Sequence, residues 1–194
     1  MMEWRHAMVT PIENAARLSV YMNRYVVLAV TCLVTGILPA RPDTTVVFNE
    51  IMYHPATNEP AMEWVELYNQ MAVDMDMSNW SLDGEINYQF GPNTVLKGGA
   101  FLVVAISPTS LAAVTGLTNI LGPFTKRLSN DGGELLLRNN NGRVVNAVNY
   151  GTSGDWPVAP DGAGISLAKL DHRTASDAPE YWAASAQIGG TPGR

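Results

Sequence analysis

The sequence predicts an all-β protein, either a sandwich or a barrel, because two patterns coincide. Short apolar runs recur after Thr44, and turn signals rich in Gly, Pro, Asn and Asp separate them. No stretch keeps a helical apolar period over three turns, and "PTSLAAVTGL" predicts at most a short helix or loop. The apolar runs are "TTVVFNEIMYH", "MEWVELYN", "WSLDG", "INYQF", "AFLVVAIS", "GELLLRN", "RVVNAVNYG", "ISLAKL" and "YWAAS".

Length and composition indicate one buried core and an acidic surface. The chain has 194 residues, of which 46% are hydrophobic, enough for one well-buried core but short for two. Its formal net charge is −6, and 16 acidic against nine basic residues follow position 40. An acidic surface repels phosphate backbones, and no basic stripe with interleaved aromatic residues is present. We therefore do not expect a nucleic-acid-binding protein.

Residues 22–40 have the three parts of a signal peptide in the right order. Arg24 supplies a positive charge, residues 25–38 form an apolar stretch, and Ala40 offers a small residue for cleavage. The apolar stretch is shorter than the roughly 20 residues that a membrane-spanning helix needs. We expect a secreted or cell-surface protein, with an uncleaved anchor as the alternative and no other contact with a membrane.

The segment before this predicted signal peptide fits it poorly. Residues 1–21 are either an upstream extension or a mis-assigned start, with Met22 as the true first residue. The one cysteine, Cys32, lies in the apolar stretch, and Thr31 before it argues against a lipoprotein signal. If the signal is removed, no cysteine remains, so the stability of the mature protein must come from packing and not from disulfides.

The segment "MEWVELYN" shows the alternation of a strand. Val65 and Leu67 point to one face, whereas Trp64, Glu66 and Tyr68 point to the other. Both faces are partly apolar, as expected of a strand with one side in the core and aromatic cover on the other. We expect the second strand of a sandwich, with Glu66 either conformational or facing solvent.

A second local pattern predicts a hairpin. Asn140, Asn141 and Gly142 stand between two β-rich segments in "LLLRNNNGRVVNAV". These residue types tolerate the positive φ that a tight hairpin turn needs. The two flanking segments are therefore expected to pair with each other.

Taken in order along the chain, these elements resemble the lamin-tail domain family, over roughly residues 45–193. The resemblance implies an immunoglobulin-like β-sandwich of about eight or nine short strands. It implies no shared catalytic set, and hence a binding or architectural module. The matching pieces are "VVFNEIMYHP", "EWVELYN", "MSNWSLDG", "YQFGPNTVLKGGAFLVVA", "LSNDGGELLLRNNNGRVVNAVNY", "WPVAPDGAGISLAKL", "DAPEYWAAS" and "GGTPG".

The family pattern transfers position by position, and its residues are ones that keep a fold. Asn79 departs from the glycine more usual before the tryptophan, which affects only the turn. The matching positions are Asn49 and Glu50 of the opening Asn-Glu; Glu66, Leu67 and Asn69 of the next strand; Trp80; Gly98 and Gly99; Asn130, Asp131 and Gly132; Asp161 and Gly162; and Gly190 to Gly193 of the terminal Gly-Thr-Pro-Gly.

A metal-dependent hydrolase is the enzymatic alternative. It would use His54, Glu63 and Glu66, with His172 as a further ligand. Zinc sites need three or four ligands, mostly His or Cys, and the part after Arg41 has only two histidines and no cysteine. Glu63 and Glu66 are three apart in a strand, so they should face opposite sides. No nucleophile elbow or phosphate-binding loop is present either, and we expect no enzyme and no cofactor.

Calcium is the one ligand that the sequence leaves open. Asp74, Asp76 and Ser78 stand at alternating positions, and Glu85 follows Asp74 by the spacing of an EF-hand loop. Asn79 occupies the place of the invariant glycine, and no helices flank the segment. A polar loop before a strand is the competing interpretation.

The tryptophans and the strand edges give the remaining hypotheses. Trp80, Trp156 and Trp182 either form a sugar-binding platform or pack in the core and rim. An exposed edge strand would allow a partner to add a strand. We expect a non-catalytic interaction or structural module with a protein or cell-envelope partner, and a calcium- or carbohydrate-dependent adhesion module as the alternative.

Overall fold

The fold is taken from a computed structural model, which describes residues 45–194. The predicted signal peptide at residues 22–40 and the segment 1–21 lie outside the described residues. Within residues 45–194, no helix is long and apolar enough to cross a membrane.

Strands dominate the described part of the chain, with one α-helix and one short 3-10 turn (Pro179–Tyr181). The helix α1 is Pro108–Thr115. The strands are β1 Val46–Met52, β2 Trp64–Asn69, β3 Met75–Asp76, β4 Ser81–Gly84, β5 Ile86–Gln89, β6 Val95–Leu96, β7 Phe101–Ala105, β8 Ile120–Leu121, β9 Thr125–Lys126, β10 Gly133–Arg138, β11 Val144–Tyr150, β12 Ile165–Lys169 and β13 Trp182–Ile188.

The strands form two main sheets, which confirms the all-β prediction. A six-stranded sheet has the order β13-β12-β1-β2-β7-β8, and a five-stranded sheet has the order β11-β10-β4-β5-β9. The short strands β3 and β6 pair with each other. Nine of the described strands have four residues or more, in agreement with the predicted eight or nine, and the other four have two residues each.

The core lies between the two main sheets, and β2 contributes to it as its alternation predicts. Val65 and Leu67 pack in the core with Leu82, Leu135 and Leu137. On the opposite face of the six-stranded sheet, Trp64 belongs to a second apolar cluster that includes Leu111 of α1 and Met52. The sheet that carries β2 is therefore covered on both faces.

Two turn predictions are resolved by the backbone. Strands β10 and β11 form the predicted hairpin, and only Gly142 of its three turn residues has positive φ, at 75°. Asn79 also has positive φ, at 61°. This left-handed conformation suits glycine and is tolerated by asparagine, which explains why asparagine replaces the family's glycine there.

The three tryptophans pack and do not form an exposed platform. Trp80 and Trp182 are buried in the core, and Trp156 lies partly buried beside Trp182, with ring centroids 6.4 Å apart. The indole nitrogen of Trp182 donates a hydrogen bond to the carbonyl of Ser176, at 3.0 Å. The packing interpretation is therefore the correct one for these residues.

Candidate functional site

Two glutamates lie buried side by side on the outer face of the six-stranded sheet. Glu50 of β1 is the cross-strand partner of Glu66 of β2, and neither side chain has measurable solvent exposure. Buried carboxylates are rare and need hydrogen-bond donors, because desolvation of a charge is costly. The donors come chiefly from residues 190–194, which cover these glutamates and which we call the C-terminal strap.

Glu50 accepts hydrogen bonds at both of its carboxylate oxygens. The backbone N–H of Thr191 donates to Oε1 and its hydroxyl donates to Oε2, each at 2.7 Å. The hydroxyl of Ser166 on β12 also donates to Oε1. One side chain on a central strand therefore holds a segment that follows it by 141 positions.

Glu66 holds the end of the same strap. Its Oε2 accepts from the backbone N–H of Gly193, and its Oε1 accepts from the amide of Asn49, at 2.8 Å. Burial raises the pKa of Glu66 to about 8, against the hydrogen bonds from Gly193 and Asn49, which lower it. The neighbouring Glu50 carboxylate raises it further. We call Asn49, Glu50, Glu66 and Ser166 the carboxylate clasp.

The strap fits the clasp closely at Gly190. A Cβ atom at this position would lie 2.6 Å from Oε1 of Glu50, 2.7 Å from the Trp64 ring and 2.8 Å from the Ser166 hydroxyl. Real Cβ contacts are longer than this, and Gly190 also has positive φ, at 76°. Only glycine satisfies both conditions at this position.

The clasp organises the chain, and its carboxylates are engaged within the protein. Each of the four carboxylate oxygens of Glu50 and Glu66 accepts a hydrogen bond from within the protein. Covalent or acid–base catalysis needs a group within reach of a substrate, and here the strap occupies that space. The solvent-facing alternative for Glu66 was wrong, and the conformational one was right.

A comparison with known protein families identifies the chain. The family model of the lamin tail domain matches residues 39–152. The chain belongs to the lamin tail domain family. The immunoglobulin-like fold predicted from the sequence is the fold of this family. No curated protein matches the chain significantly.

The six-stranded sheet includes strands that lie beyond the matched residues. Strands β12 and β13 follow residue 152, and both belong to the six-stranded sheet, where β12 pairs with β1. Asn49, Glu50 and Glu66 lie inside the matched range, whereas the strap that they bind lies outside it. The clasp thus joins the matched residues to a segment that follows them.

Glu63 is a third buried carboxylate, and it has a different role. Its Oε2 accepts the backbone N–H of Leu128 at 2.7 Å, while Oε1 has no hydrogen-bond partner in the described part of the chain. Burial raises the pKa of Glu63 to about 7, partly offset by the Leu128 hydrogen bond. Glu63 and Glu66 therefore bind different segments, and neither faces solvent.

The structure does not bring the predicted hydrolase residues together. His54 forms a pair with Asp161, with Nδ1 and Oδ1 2.6 Å apart, whereas His172 packs against Tyr68 in a tilted arrangement, with ring centroids 4.2 Å apart. Within residues 45–194, no group of three or more His, Cys, Asp and Glu side chains is arranged to hold a metal ion. The hydrolase hypothesis has no preformed ligand set in this region.

Asp74 lies on the surface near the small β3–β6 sheet. It accepts a hydrogen bond from the Lys97 ammonium at 2.7 Å and from the backbone N–H of Gly98 at 3.2 Å. The hydrogen bond from Lys97 lowers the pKa of Asp74. A cation at this carboxylate would compete with Lys97.

Two of the other predicted calcium ligands, Asp76 and Ser78, also have partners of their own. Asp76 accepts the backbone N–H of Ser78 at 2.9 Å, and the Ser78 hydroxyl accepts the backbone N–H of Asn93 at 2.9 Å. Glu85 follows β4 and does not form a three-carboxylate group with Asp74 and Asp76, because the described residues contain no such group. These contacts build turns, and calcium at Asp74, Asp76, Ser78 and Glu85 stays a prediction.

An open apolar cleft lies beside the strap. Its volume is about 270 Å³, and Met52, Met62 and Trp64 line it together with Val114 of α1 and Ile188 of β13. Among residues 45–194, no charged side chain lines it. Val114 and Ile188 are 74% and 86% exposed, so the cleft has apolar side chains at its rim as well as inside. Sequence patterns did not indicate this cleft, because its walls come from distant segments.

Proposed function

We propose that this lamin tail domain is a non-catalytic module of a secreted or cell-surface protein, and that it binds a protein partner through the apolar cleft. The observation that carries the proposal is the cleft itself. It is concave, uncharged and rimmed by exposed aliphatic side chains. Contiguous apolar surface of this kind is typical of protein-binding sites, whereas isolated exposed hydrophobic residues are common and carry no such meaning.

The polar residues support a non-catalytic role. The carboxylates that first suggested metal chemistry hold loops or the strap, and the family fold is typically non-enzymatic. The export part of the proposal is supported by the signal-like pattern of residues 22–40 and by a chain whose only cysteine, Cys32, falls within that pattern.

The binding part is tested by a photo-cross-linking residue placed at Ile188 in living cells. We expect one defined protein adduct from Ile188, and we expect Val114→Asp to abolish it. Leu170 is the matched control position, because it is also aliphatic and 68% exposed but does not line the cleft. Equal adducts from Ile188 and Leu170, or an adduct that survives Val114→Asp, would contradict the proposal.

The export part is tested separately by N-terminal sequencing of the mature protein and by its protease accessibility on intact cells. We expect a mature chain that begins at Arg41 and is cleaved from outside. Deletion of residues 22–40 should retain the protein inside. A chain that keeps residues 1–40 and stays protected would contradict export, without bearing on the cleft.

A further inference from the structure

The clasp and its surroundings constrain the residue type at three positions of the strap. Gly190 is required by space, because a Cβ would meet Glu50, Trp64 and Ser166. Thr191 is required by its hydroxyl, which donates to Glu50 at 2.7 Å. Selection by space and by hydrogen bonds at successive positions is how a peptide-binding site recognises its ligand.

Gly193 is the third position of the strap at which the residue type is constrained. Its backbone N–H donates to Oε2 of Glu66, and it has positive φ, at 86°, a left-handed conformation that favours glycine. Thus a glycine, a hydroxyl-bearing residue and a second glycine are selected in order. The selected motif is Gly-Thr-Pro-Gly, the segment that the chain itself supplies.

The strap lies on the surface formed by the side chains of Glu50, Glu66 and Ser166, which we call the trough. The strands that carry these residues pair with one another without the strap. Glu50, Glu66 and Ser166 stand on β1, β2 and β12, and these are adjacent strands in the middle of the six-stranded sheet. The backbone hydrogen bonds of β1 run to β2 and β12. Departure of the strap would remove its hydrogen bonds with Glu50 and Glu66, but the three strands would stay paired with one another.

The strap is attached to β13 by a short glycine pivot. Gly189 and Gly190 both have positive φ, at 83° and 76°. Glycine populates more of φ/ψ space than other residues, so these two positions are where the backbone between β13 and the strap can change direction. Rotation about φ and ψ of Gly190 would move the strap and leave the pairing of β13 with β12, and the hydrogen bond from the Gly189 N–H to the Gly164 carbonyl, in place.

We propose that the trough is a binding site for Gly-Thr-Pro-Gly segments and that a second copy of this chain supplies the segment by exchange of its strap. The exchanged strap makes the same hydrogen bonds with Glu50 and Glu66 as the chain's own strap, so the contacts themselves do not oppose exchange. The occupant is residues 190–193 of the second copy. This inference does not depend on the proposed use of the cleft.

The first test offers the strap as a free peptide. A chain that ends at Gly189 keeps the trough but lacks its occupant, and the peptide Gly-Gly-Thr-Pro-Gly-Arg restores it. We expect the peptide to raise the melting temperature of the shortened chain in a saturable manner. Peptides with Thr191→Val or Gly190→Ala should bind about tenfold more weakly. A folded shortened chain that ignores the intact peptide would overturn the proposal.

The second test uses intact chains, so it remains decisive if the shortened chain does not fold. Tagged and untagged chains are mixed, held a few degrees below the melting temperature and cooled, and mixed dimers are measured by affinity capture with light scattering. We expect mixed dimers from the parent chain and none from Gly190→Ala. A parent chain that stays monomeric, or a Gly190→Ala chain that dimerises equally, would overturn strap exchange.

Discussion

The chain places its carboxylates in two opposite settings, the clasp and the loop around Asp74 and Asp76. In the clasp, Glu50 and Glu66 are fully buried and bind backbone and side-chain donors from distant segments. In the loop, Asp74 and Asp76 are exposed and bind residues of their own small sheet or turn. The acidic residues of the loop have the spacing of a metal-ligand site, yet it is the carboxylates of the clasp that hold distant segments of the chain together.

The difference teaches that the surroundings of a carboxylate, and not its spacing in sequence, decide its role. An exposed ion pair such as Asp74 with Lys97 is screened by water and contributes little to stability. A buried acceptor such as Glu66 leaves its donors without partners if it is removed, which is costly. Removal of a carboxylate should therefore have a large effect in the clasp and a small one in the loop.

The largest effect is expected for Glu66→Ala. This substitution leaves the buried amide of Asn49 and the N–H of Gly193 without acceptors, and it opens a cavity beneath the strap. We expect a loss of about 3 kcal/mol in the free energy of unfolding, measured by urea denaturation. Glu134→Ala is the control, because Glu134 is an exposed residue of β10 and should change stability by at most about 0.5 kcal/mol. Equal losses in the two variants would remove the distinction between clasp and surface.

The burial of Glu66 could not be read from its own segment. The alternation in β2 correctly predicts that Val65 and Leu67 face the core, because the strand period is a local property. The cover over the opposite face is non-local, since Gly193 reaches Glu66 across 127 positions. The hairpin around Gly142 was predictable for the converse reason: its turn and both strands are contiguous in sequence.

The next effect is steric and is expected for Gly190→Ala. The new Cβ would meet Glu50, Trp64 and Ser166 at less than 3 Å, in a left-handed backbone conformation. We expect a loss of about 2 kcal/mol in the free energy of unfolding. Gly189→Ala is the matched control, because Gly189 has a similar φ of 83° but no atom within 4 Å of the place that a Cβ would take. A loss in Gly189→Ala as large as in Gly190→Ala would show that only backbone strain matters.

A smaller effect follows from pH. Burial raises the pKa of Glu66 to about 8 and that of Glu63 to about 7, from an ordinary value of 4.5. Between pH 4.5 and pH 8 the folded chain binds more protons at these two groups than the unfolded chain, so their contribution to stability is fully present below pH 4.5 and falls as pH rises towards 8. The slope for one such group is at most about 1.4 kcal/mol per pH unit.

The pH effect is measured as the free energy of unfolding at pH 5, 6, 7 and 8. Glu66→Gln should flatten the slope and leave the smaller contribution of Glu63. Burial lowers the pKa of Lys169 to about 8, so its opposite contribution, a gain in stability with pH, lies above this range. A parent chain whose stability rises from pH 5 to pH 8 would contradict the assignment of both glutamates.

The smallest effect is expected in the loop, and it sharpens the comparison because the loop is also the predicted calcium site. Asp74→Ala together with Asp76→Ala should leave the melting temperature within about 2 °C of the parent value, since both side chains are exposed.

Calcium should not raise the melting temperature of the parent chain or of this double variant, because Asp74 is already paired with Lys97 and Asp76 already accepts a hydrogen bond from Ser78. A ligand at about 100 times its Kd adds roughly 2.7 kcal/mol of stability, so bound calcium would be plainly visible. A calcium-dependent rise in the parent that is lost in the double variant would mean that the loop rearranges to release its carboxylates, and it would make the calcium-dependent adhesion module the leading function.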